Sequence, residues 1–142
     1  MSRENFLRFQ SPEFFAPLTN HILRIILLCG FFSLSHLSVK TSTRFTSLAW
    51  GMISRGVAAS CANGLVVGGM SDGSVCAWDA RGVIAGEGDA SMLMKIERHQ
   101  APVRTLAFNP HPQQQHLLAA ASADGDISII SMENTSTPTI AK

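Results

Sequence analysis

Charge is scarce in this chain. Only 15% of its 142 residues are Asp, Glu, Lys or Arg, and the formal net charge is +1. With no cluster of Lys or Arg to set against that balance, the sequence carries no electrostatic footprint for nucleic acid. Cysteine is scarce too. Cys29, Cys61 and Cys76 are odd in number and form no Cys-x-x-Cys pair, so they read as reduced thiols of an intracellular protein rather than as a disulfide framework. A long apolar run is also missing. The most hydrophobic stretch, Ile22 to Leu34, holds about 13 mostly apolar residues interrupted by Arg24, short of the roughly 20 that a spanning helix needs.

What is present is enough apolar material for one core. Hydrophobic residues make up 46% of the chain, which excludes a disordered tail and fits a single domain. The composition shifts near residue 40. Residues 1–42 form an unassigned apolar segment in which Phe6, Phe9, Phe14 and Phe15 follow no period. The run from Ile22 has the length of a signal-peptide core, but it starts late and no small-residue cleavage site follows. A buried or irregular segment, a signal-like stretch, a spanning helix and a misassigned start of translation all stay open for it.

From residue 43 the pattern is regular. Short extended runs are Phe45 to Trp50, Leu65 to Val67, Val75 to Trp78 and Met92 to Ile96, the last alternating through Met92, Met94 and Ile96. The series then restarts with Val103 to Phe108, Leu117 to Ala121 and Asp126 to Ile130. Asp72-Gly73 and Asp124-Gly125 sit between strand-like runs, and the step from position 73 to position 125 is 52 residues. Asp-Gly is a strong hairpin signal, because both central residues of the tight turn take positive φ. Strand, loop, strand, tight turn, strand, loop, strand, then repeat: this is the order of a four-stranded propeller blade. The spacing exceeds the roughly 40–45 residues of a WD repeat, and the surplus falls in the glycine-rich stretch after Asp79, read here as loop.

The residues carry that resemblance further. Trp78-Asp79 is the dipeptide that ends the third strand of a WD repeat, and His99 lies 31 positions before Ile130, the place equivalent to Trp78, although Arg98 replaces the usual glycine. The resemblance implies that the opening His99, the strand hydroxyl of Ser122 and the turn carboxylate of Asp124 form a buried hydrogen-bonded chain, which in the family ends on a Trp N–H. Ile130 cannot donate that bond. The first unit has Asp72, Trp78 and Asp79, but Met70 stands where the hydroxyl belongs, and no His precedes Thr43. The segments RFTSLAWG, GLVVGG, GVIAG, HQAPVRTLAFNP and HLLAAASADGDISI, in that order, resemble the amino-terminal propeller of the larger subunit of the COPII outer coat. The expected fold is therefore all-β: a partial WD-repeat β-propeller of about two four-stranded antiparallel blades over residues 43–137, preceded by the poorly matching segment 1–42 and followed by a tail over 138–142.

Sharper chemistries read poorly. Ser122, His99 and Asp124 could suggest a hydrolase triad, yet no Gly-x-Ser-x-Gly elbow or Gly-rich oxyanion loop accompanies them. His111 and His116 flank Pro-Gln-Gln-Gln without further ligands nearby in sequence. The stretches GVIAGEGDA and GGMSDG lack the Lys-Ser/Thr of a phosphate loop and open no helix. Trp50 and Trp78 read as core. No catalytic, cofactor-binding or metal-binding residue is expected, and Asp72, Trp78, Asp79, His99, Ser122 and Asp124 are expected to be structural.

The resemblance implies a scaffold in endoplasmic reticulum to Golgi transport. Its partners would be other COPII subunits, chiefly the smaller outer-coat propeller protein and neighbouring copies of itself. The implied location is the cytosol and the cytoplasmic face of exit sites and vesicles, with peripheral membrane association through the coat and no nucleic acid. The competing readings are an unrelated WD-repeat adaptor, which would share the Asp-Gly hairpins but not GVIAG, and a membrane-anchored protein using residues 22–34. Since a blade sheds water only against its neighbours, two blades with two open sides should not fold alone.

Overall fold

Asp, Gly and Pro punctuate a chain that otherwise runs apolar or alternates, and the strands lie between those breaks. The computed structural model describes residues 22–29, 33–53, 61, 63–134 and 138–141. Among them β1 (Ile22–Cys29) and β2 (Ser33–Lys40) pair as an antiparallel hairpin. The strands β3 (Phe45–Gly51), β4 (Leu65–Met70), β5 (Ser74–Asp79) and β6 (Met92–Glu97) form one four-stranded antiparallel sheet in sequence order. A second sheet repeats the plan with β7 (Val103–Phe108), β8 (Leu117–Ser122), β9 (Ile127–Ser131) and β10 (Thr139–Ala141). The all-β, two-blade expectation holds.

Strand periodicity explains how the sheets meet. Leu65, Val67, Val75, Ala77, Met94 and Ile96 point to one face of the first sheet, and they pack against Val103, Leu106, Leu118, Ala120 and Ile130 of the second. Burying a Leu, Val or Ile completely contributes roughly 1.5–3 kcal/mol, so this seam is the main source of cohesion. Polar side chains stitch its inner edge. β3 carries a bulge between Phe45 and Ser47. There Thr46 Oγ1 donates to the carbonyl of Val103 at 2.6 Å and Ser47 Oγ donates to the same oxygen at 3.0 Å.

The opposite face of the first sheet is covered rather than open. Val66, Met70, Cys76 and Trp78 are buried there with Val39 of β2 and with Ala80 and Val83, while Phe45, Leu48 and Trp50 pack alongside. The apolar stretch from Ile22 is thus a strand and not a helix, and among the described residues no helix is long and apolar enough to cross a membrane. Two open sides were expected. One is covered by Val39 of β2 and by Ala80 and Val83 of the helix that follows β5.

Three further expectations need correction. Residues read as loop after Asp79 form α1 (Ala80–Ala85), and Gly86 ends it in the left-handed conformation at φ 78°. Asp79 as N-cap and Gly86 as C-cap are the start and stop signals of a helix, and only the abundance of glycine disguised them. The hairpin turns are not two-residue turns centred on Asp-Gly. Three residues separate β4 from β5, the Gly73 N–H donates to the Met70 carbonyl, and Gly73 takes φ 86°; this is a turn closed by a left-handed glycine. Finally, residues 138–142 are not a tail. Ile140 pairs with Ile130, so Thr139–Ala141 supplies the fourth strand of the second sheet.

Candidate functional site

Of the residues singled out by sequence, His99, Ser122 and Asp124 converge where the linker over residues 98–102 crosses the two hairpin turns. His99 N–H donates to the Gly73 carbonyl at 3.3 Å, which fastens the linker to the first turn. On the other side the Ala123 N–H donates to the Pro102 carbonyl at 2.9 Å. Asp124 completes the clasp. Its Oδ2 accepts from the Gln100 N–H at 3.1 Å and its Oδ1 from the Asp126 N–H at 2.9 Å. Short Asp side chains suit this task because they can mimic a backbone carbonyl two residues away.

His99 is buried, with its imidazole between two groups. Nδ1 lies 3.7 Å from Asp124 Oδ2, and Nε2 lies 3.3 Å from the hydroxyl of Ser128. The structure brings His99 and Asp124 near each other, but 3.7 Å is too long for the hydrogen bond that the resemblance implied. It assigns the hydroxyl differently. Ser122 Oγ donates to the carbonyl of Ala101 at 2.8 Å and sits 3.4 Å from the Asp124 N–H, so it braces the linker rather than the ring. The residue that sequence reasoning missed is Ser128. Its signal was available: it is a hydroxyl on the buried side of β9, two positions before Ile130.

Ser128, His99 and Asp124 line up in the order of a Ser–His–Asp triad, but His99 Nδ1 is buried without a hydrogen-bond partner and Asp124 Oδ2 lies 3.7 Å from it, beyond hydrogen-bond distance. Ser128 is wholly buried, so no substrate carbonyl can reach its oxygen. What the arrangement supplies is a polar contact between Ser128 and His99 Nε2 inside the sheet stack. Replacing Ser128 with Ala should leave His99 Nε2 without a partner and destabilise the fold by about 1–3 kcal/mol. Chemical denaturation of Ser128→Ala, His99→Ala and the double variant checks this. The pair should show a coupling within roughly 0.5–3 kcal/mol, and independence of the two substitutions would remove Ser128 from the relay.

In the first sheet the equivalent positions are differently filled. Burial pushes the Asp72 carboxyl up, but hydrogen bonds outweigh it: the Ser74 hydroxyl at 2.6 Å and the Ser74 N–H at 2.9 Å hold it below the ordinary carboxylate range. A carboxyl whose folded value is depressed stabilises the fold above its unfolded value, near 3.9 for Asp, and that contribution fades as pH falls through the folded value. The urea midpoint should accordingly drop between pH 5 and pH 3, by less in Asp72→Asn than in the unsubstituted chain. Asp124 is held low in the same direction, first by the Asp126 N–H. Trp78 is fully buried, and its indole N–H has no hydrogen-bond partner. Met70 is buried on the same face of the first sheet.

The remaining candidates are placed as follows. Asp79 Oδ1 accepts from the Arg81 N–H at 2.9 Å and caps α1. His111 Nδ1 accepts from the Gln113 N–H at 3.3 Å within its own loop, whereas His116 Nε2 faces Glu133 at 3.8 Å. Among the described residues no group of three His, Cys, Asp or Glu could hold a metal ion. Burial pushes the Cys76 thiol up, away from the reactive thiolate.

Residues 90–131 match the family model for the WD domain, G-beta repeat, and this window takes in β6 to β9 with the whole linker clasp. The chain thus contains a segment that matches a WD repeat. The chain is similar to the protein transport protein SEC31 of Chaetomium globosum, 35% identical over 100 residues that cover 70% of this chain and 7% of the relative. SEC31 of Mycosarcoma maydis is 37% identical over 103 residues, covering 71% and 7%. The chain thus spans about 7% of the length of these curated relatives. Among solved structures, a chain of the COPII outer coat vertex on membranes overlays with a TM-score of 0.58 at 19% identity, covering 89% of this chain and 31% of that one. At that identity the overlay speaks for the fold alone, here a WD-repeat blade pair.

Proposed function

We propose that this chain is a non-catalytic scaffold piece of a COPII vesicle coat, acting in endoplasmic reticulum to Golgi transport through protein–protein contacts. The observation that carries the reading is the 35–37% identity to proteins named SEC31 across about 70% of the chain. The physical site agrees with it. His99, Ser122 and Asp124 hold the linker between the blades, Asp72, Trp78 and Asp79 act as structural residues within the first blade, and the Ser128–His99–Asp124 arrangement is sealed from solvent at its serine. Rigid sheets with fixed relative orientation are what a cage vertex requires of its parts.

Under this reading the partners are other coat subunits, chiefly the smaller outer-coat propeller protein and neighbouring copies. Membrane association is peripheral, and the site of action is the cytoplasmic face of exit sites. Fractionation tests it. The tagged chain should pellet with membranes, co-enrich with coat subunits and wash off in high salt or alkali. Uniform solubility without enrichment at exit sites would favour a WD-repeat adaptor of another complex, and resistance to alkali would favour an integral protein.

A further inference from the structure

We draw no further inference here: the strongest candidate, the outer edge of the first sheet, where β6 pairs among the described residues with β5 alone and Leu93 stands exposed beside the Lys95–Glu97 ion pair, carries nothing because nothing in the structure shows what covers it.

Discussion

Replacing Gly73 with Ala should destabilise the chain by about 3–5 kcal/mol, whereas the same change at Gly125, its counterpart one repeat later, should cost about 1–2 kcal/mol. Both glycines hold left-handed φ, 86° and 88°, and a side chain there costs roughly 1–2 kcal/mol by itself. They differ in what surrounds them. A Cβ on Gly73 would strike the carbonyl oxygen of His99 and meet that of Ala101 at 3.0 Å, while a Cβ on Gly125 meets nothing within 4 Å. The obstacles at Gly73 are backbone, fixed by the His99 N–H bond to Gly73 itself, so relief requires moving the linker off the turn. Overpacking of that kind adds about 1–3 kcal/mol or more. Urea unfolding of the two variants side by side is the measurement. Equal losses would mean that the linker does not rest on the first turn.

Trp78→Ala should cost a similar amount, about 3–5 kcal/mol, and it should act on the other side of the first sheet. Trp78 has no exposed surface and lies against the Phe45 ring at a centroid distance of 5.7 Å. Its removal leaves a void bounded by β3, β4 and α1 that these elements cannot all close together. Trp78→Phe is the informative companion. It retains an aromatic ring and abolishes the unpartnered indole N–H, whose burial costs about 1–3 kcal/mol, so its loss should be well below that of Ala. A Phe variant as unstable as the Ala variant would place a hydrogen-bond acceptor at the indole.

Why were these environments invisible beforehand? Two Asp-Gly pairs 52 residues apart, Trp-Asp at a strand end and alternation along β6 are local properties, and they located the strands and their antiparallel order. The His99–Asp124 approach was legible for the same reason, since both residues occupy fixed positions within one repeat. The partner of His99 was not. Ser122 and Ser128 both point to the buried side of adjacent strands, and choosing between them requires knowing where the linker lays the ring. The short helix was missed because three glycines within seven residues, Gly82, Gly86 and Gly88, weigh toward loop in any local count, although the capping residues were in place.

By itself, then, the order of residues determined that this is an all-β repeat protein with two blades. It also placed Asp72 and Asp124 in the turns between strands, because strand period and turn chemistry are written within short windows. Tertiary structure alone decided that the apolar segment from Ile22 is a strand paired with β2, that the hydroxyl beside the His99 ring is Ser128, and that Gly73 is enclosed where Gly125 is free. Each of these depends on which surface meets which across distant stretches of chain, and burial against a particular neighbour is a property no local window contains.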